Sequence, residues 1–162
     1  MESSEIVELL REEIAGYGVL LGLFEEQQGH LFSRNVDKVL QTAALIDLRV
    51  AEASHCREAR EQWLGAFACS RGEHSGSSLR KLLVFFPPEE RPMLEACIDE
   101  INRLIHQVRR RARQNHSFME KMLDLQRELV LGVTPGTSGT TYAPSGELTG
   151  SGLRASSLQQ VG

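Results

Sequence analysis

Glu52 and His55 are the one acid–imidazole pair in this chain at E-x-x-H spacing. Three residues apart on a helix, both side chains share a face and could hold a metal ion. A di-iron bundle needs a second such motif and two further inward glutamates, and the second motif is absent. The pair therefore reads as surface neighbours. His55 and Cys56 are adjacent, which on a helix turns their side chains about 100° apart, so they cannot form a thiol–imidazole dyad. Cys56, Cys69 and Cys97 show no C-x-x-C and no zinc spacing. They read as free thiols packed as small core residues in a reducing compartment. Gly16-x-Gly18 lacks the third glycine and the preceding strand of a dinucleotide fingerprint. Asn115-His116-Ser117 is a glycosylation sequon that falls within a helical pattern. These residues assemble no enzyme site, and no metal or cofactor is expected.

Charge and apolar patterning say more. Arg109-Arg110-Arg111-x-Arg113 is the one strong charge cluster, and it could contact phosphates. Residues 1–30, however, carry seven acids and one base, whereas residues 101–131 carry seven bases and three acids. Helices of opposite charge lying side by side account for the run by complementarity within the chain. Asn115 interrupts a row of Leu, Ile, Val and Met, where a single buried Asn sets register at some cost in stability. Beyond it, Phe118, Met119, Met122, Leu123, Leu125, Leu129, Val130 and Leu131 cover more than one helix face. A helix needs one apolar stripe to dock in a bundle. Either the Leu79–Phe86 segment covers the excess, or it is a surface for a partner, adaptable through its methionines.

The elements that position these residues are helices. The chain has 162 residues, 41% hydrophobic and only 6% aromatic, with a net charge of −4. An aromatic-poor chain of this length leans away from a β-sandwich, and its net charge does not favour nucleic acid. The acidic start, Met1-Glu2-Ser3-Ser4-Glu5, is unlike a secretory signal, and Leu82–Phe86 is too short to span a bilayer. A cytoplasmic protein without membrane insertion is expected.

A first helix spans about 3–32, capped by Ser3 or Ser4, with Leu10, Tyr17, Phe24 and Leu31 in one row and Val7, Ile14 and Leu21 in another. Gly16, Gly18 and Gly22 either let a neighbour approach closely or weaken it. A second helix spans about 35–67, with Asn35 as N-cap and rows Val36, Ala43, Val50, Leu64 and Val39, Ile46, Ala53, Phe67. Arg57 and Arg60 break that seam, which places the stretch near an open end of the bundle. Residues 71–78 form a loop, Leu79–Phe86 is a short apolar helix or turn, and Pro87-Pro88 ends it. The third long helix, about 89–131, carries Leu94, Ile101, Val108, Asn115, Met122 and Leu129 at seven-residue spacing, with Cys97, Leu104, Arg111, Phe118 and Leu125 beside them. It tolerates Pro92 only in its first turn. At ~1.5 Å per residue it is roughly 60 Å long, so the fold is an all-α, elongated antiparallel bundle of three long helices plus a short one. Residues 1–131 form the bundle domain. Residues 132–162 hold seven of the 14 glycines and no lysine, and read as a flexible tail.

The chain resembles the FlgN-type flagellar export chaperones over most of its length. The resemblance rests on L-L-R-E-E-I to L-F-E-E-Q (9–27), on N-x-x-x-x-x-x-M-L-x-x-x-x-x-L-V (115–130) and on the closing T-Y-A-P-S-G-E-L (141–148) after a Gly/Thr-rich stretch. It departs from the family in the glycines of the first helix and the arginine cluster of the third. It implies a cytoplasmic chaperone that binds the C-terminal helical segment of hook-associated proteins, prevents premature polymerisation and delivers them to the export gate. Phe118, Met119, Met122, Leu125 and Leu129 would then meet the client helix, Tyr142 the gate, and Asn115 would set register. The free protein would be a monomer or a homodimer, with no nucleic acid among its partners. Two other readings stay open: a non-catalytic scaffold or adaptor, and a nucleic-acid-binding regulator using Arg109–Arg113.

Overall fold

A computed structural model of the chain describes residues 2–133, all of whose regular elements are helical. Helix α1 spans Glu2–Phe32, α2 Val36–Ser70, α3 Leu79–Leu82 and α4 Arg91–Val133, with a 3-10 turn over Leu83–Phe85 between α3 and α4. The boundaries follow local chemistry. The Asn35 side chain accepts a hydrogen bond from the Lys38 N–H (3.2 Å) and caps α2, with Asp37 in the first turn where the helix dipole favours it. Arg34 closes α1 in the left-handed region (φ 55°), and Gly72 closes α2 the same way (φ 75°). Pro92 lies in the first turn of α4, where its missing N–H leaves no bond unmade. Arg91 ties the turn to that helix by donating from Nε to the Phe86 carbonyl and from Nη2 to the Val84 carbonyl, both at 3.0 Å.

Helix α1 is the shared spine along which α2 and α4 both pack. Helix α2 runs back antiparallel to α1, and α4 runs parallel to α1: Arg111 meets Glu25 and Gln28, Asn115 meets Phe24 and Gln27, and Phe118 meets Phe32. The main core lies at the end holding the start of α1. There Ile6, Val7 and Leu10 pack with Leu64, Phe67 and Ala68 of α2, Leu94 and Ile101 of α4, and Leu79, Leu82, Leu83 and Phe86. Trp63, Phe67 and Phe86 stack at 4.9–6.4 Å. A second, smaller core of Leu20, Ile46 and Ala53 continues along the bundle.

Three expectations need correcting, and one pair of alternatives is resolved. The most deeply buried row of α1 is Ile6, Glu13, Leu20 and Gln27, which the apolar rows concealed because two members are polar. The Arg57–Arg60 stretch is not an open end: Leu64, Phe67 and Ala68 beyond it are in the main core, and Arg60 turns inward to the carboxylate of Glu13 (3.2 Å). A Cβ added at Gly16, Gly18 or Gly22 would meet nothing within 4 Å, so these glycines admit no close neighbour. Cys69 is exposed rather than packed in the core, while Cys56 and Cys97 are half-buried, and all three thiols are unpaired.

Candidate functional site

Helix α4 is 43 residues long and α1 only 31. The two start together, and the Phe32–Phe118 edge contact (centroids 5.0 Å apart) marks where α1 gives out. From Met119 onward α4 runs on for roughly 22 Å past the end of α1. Beyond Met122 the apolar side chains of this overhang are exposed: Leu123 is 52% exposed, Leu125 59%, Leu129 and Val130 68%, and Leu131 74%. The Leu79–Phe86 segment does not cover them. Its buried face packs on Leu94, Phe67 and Ile6 at the far end of the molecule. A helix needs one apolar stripe to dock, and α4 has spent that stripe on α1 before the overhang begins.

The five expected client residues fall on this end of α4. Phe118, Met122, Leu125 and Leu129 follow one another at spacings of four, three and four, and so form one stripe. Met119 sits about 100° round the helix from Phe118. Phe118, Met119 and Met122 are half-buried, whereas Leu125 and Leu129 are exposed. Apolar side chains on several sides of α2 also stand exposed, among them Val36 and Val50 of the first heptad row, which therefore do not form the seam expected of them. Val36, Leu40, Leu45, Leu48 and Val50, in the first half of α2, are all between 46% and 64% exposed. Leu40, Leu45 and Leu48 lie outside both heptad rows of that helix, which was the available signal. Tyr142, the residue expected at the export gate, lies outside the described residues, as does the tail from residue 134.

Asn115 is buried (1% exposed) where α4 crosses α1. Its Nδ2 donates to the Phe24 carbonyl (2.8 Å) and to Oε1 of Gln27 (3.0 Å). A backbone carbonyl can only accept, which fixes the orientation of the amide. Asn115 Oδ1 is left buried without a partner. The arginine cluster divides. Arg111 reaches Gln28 (2.9 Å) and Glu25 (3.4 Å) across the interface, the complementarity expected between the two helices. Arg109, Arg110 and Arg113 are exposed and have no ion-pair partner among the described residues.

Elsewhere the geometry offers little chemistry. Glu52 pairs with Arg49 (2.6 Å), not His55. Burial pushes the Cys56 thiol up, and Glu12, Glu13 and Glu52 push the same way, so it is a poor nucleophile. Among the described residues no cluster of His, Cys, Asp and Glu could hold a metal ion, and no helix is long and apolar enough to cross a membrane.

Fold and site together define an all-helical bundle whose distinguishing surface is apolar rather than reactive. The family model described as FlgN protein matches residues 1–150, and the chain belongs to that family, whose members are flagellar export chaperones. No curated protein and no solved structure matches the chain.

Proposed function

We propose that this chaperone binds the C-terminal helical segment of hook-associated proteins in the cytoplasm, holds it from premature polymerisation and hands it to the flagellar export gate. The observation that carries the reading is the end of α4 beyond Phe32, where Leu125 and Leu129 are exposed and no other described element packs on them. An amphipathic client helix laid on Phe118, Met122, Leu125 and Leu129, with Met119 at its edge, extends the bundle by one helix. Ordering the client on binding costs about 2–5 kcal/mol of the gross interaction, which keeps the complex reversible, as a handover requires. Asn115, at the root of the overhang, sets the register of α4 on α1 and so where the stripe begins. The chain after residue 131, around Tyr142, is the element that addresses the gate.

Calorimetric titration with C-terminal peptides of the hook-associated proteins of the same organism tests the reading. Saturable binding with a negative heat-capacity change is expected, and Met122→Glu abolishes it while leaving helicity nearly intact. Unchanged affinity in that variant would remove α4 from the interface. Tyr142→Ala is expected to spare client binding and to reduce secretion in cells; normal secretion would refute the role given to the tail.

A further inference from the structure

The apolar stripe of the overhang runs into a basic collar at its root. Next to Phe118 lies a shallow depression of about 500 Å³, with Arg111, Arg113 and Lys121 around it and Gln28 of α1 at its wall. No carboxylate lines it. Arg111 is held in place by Gln28 and Glu25, so it forms a fixed wall. Arg113 and Lys121 are exposed and have no ion-pair partner among the described residues. The acids nearest them along α4 contact other groups, Glu120 the His116 ring (3.2 Å) and Asp124 the Arg127 guanidinium (3.5 Å). Two cations without an ion-pair partner among the described residues therefore flank the aromatic ring that opens the apolar stripe.

We propose that this collar is the charged end of the client site. It takes carboxylates of an amphipathic helix whose apolar stripe lies on Met122, Leu125 and Leu129. The inference rests on the reading of the overhang as the client site and adds to it a recognition rule. The client carries Asp or Glu within the two turns that reach the root of the overhang, and that charge fixes which way the client helix runs. A uniformly apolar stripe binds a helix in either direction, whereas a cationic group at one end favours one polarity. The juxtaposition of the cations with Phe118 favours an acidic helix over a nucleic-acid backbone, which would leave the adjoining leucines in water.

The test compares the wild-type chain, Arg113→Gln/Lys121→Gln and Met122→Glu. Each is titrated with the hook-associated C-terminal peptides, and with the same peptides carrying Asn and Gln for every Asp and Glu, at 50 and 300 mM NaCl. Circular dichroism confirms that the variants fold. The expected result is wild-type binding that weakens several-fold at the higher salt. The double variant should lose about tenfold in affinity at 50 mM and most of that salt dependence, and the neutralised peptides should behave alike on both proteins. Equal affinity and equal salt dependence in wild type and double variant would overturn the collar while leaving the apolar clamp standing. Undiminished binding by Met122→Glu alongside a weakened double variant would overturn the clamp and keep the collar. No binding by the wild type overturns both. A 20-base-pair DNA duplex serves as competitor: binding tighter than the peptide's, lost in the double variant, would assign the collar to phosphates and overturn the proposal.

Discussion

Glycine-to-alanine exchange should have opposite signs at two places in this molecule. Gly16, Gly18 and Gly22 occupy the interior of α1, and an added Cβ at each meets open space. Alanine there removes backbone freedom from the unfolded chain and clashes with nothing, which is worth about 0.4–1 kcal/mol per site. The triple variant should therefore gain about 1–3 kcal/mol. With a urea slope of about 1–3 kcal/mol/M, its midpoint should rise by roughly 1 M. Gly72 is the contrast, because its φ of 75° terminates α2 in the left-handed region. Alanine at that position should cost about 1–2 kcal/mol. Urea melts of the full chain followed by far-ultraviolet circular dichroism measure both. Client affinity should not move in the triple variant, since these glycines lie well short of the end of α1 where the overhang begins. A triple variant no more stable than the wild type would mean that α1 is not one continuous helix through its glycines.

Three further outcomes follow from buried polar groups and from the overhang. Glu13 is fully buried beside Arg60, and burial raises its carboxyl above the ordinary 4.5 despite the pull of Arg60 and Arg57. The folded state therefore binds this proton more tightly than the unfolded chain. Its stabilising contribution is complete below the unfolded pKa and is lost as pH rises through the folded one. Glu13→Gln should accordingly gain stability over wild type at pH 7–8 and show little gain at pH 4; the reverse trend in melts at the two pH values would sink the assignment. Asn115→Ala should cost about 1–3 kcal/mol by leaving Oε1 of Gln27 without its donor, and a loss under about 0.5 kcal/mol in urea melts would count against it. Amide hydrogen exchange should be protected from Leu94 to Asn115 and faster beyond Met122 in the free protein, because a helical end that runs past the end of α1 is marginal by itself. Client peptide should restore protection there, and exchange equally slow along all of α4 without client would contradict the isolation of the overhang.

Seven-residue periodicity was enough to read three long helices and a buried Asn115, and cap and proline chemistry to read the Asn35 cap and the position of Pro92, because each depends on neighbours within one or two turns. It was also enough to single out Phe118 to Leu131 as more apolar than one docking face requires. It failed where a buried row contained polar members. Glu13 and Gln27 are core residues of α1 only because Arg60 and Asn115 approach from other helices, and no local pattern announces such a partner. The exposed leucines of α2 escaped for the mirror reason: apolar residues off a heptad row have no address until the neighbouring helices are in place.

Residue types and spacing, by themselves, determined that this chain is helical, that it lacks a recognisable catalytic motif and that α4 carries surplus apolar surface, since these are properties of composition and of one helix at a time. Only the tertiary structure decided what happens to the surplus. Leu79–Phe86 had two places it could pack, and it goes to the Ile6–Phe67–Leu94 core at the opposite end. Helix α1 stops at Phe32 while α4 runs on. Burial is a relation between segments far apart in the chain, so which stripe is covered and which stays open is settled by lengths and directions that only packing compares.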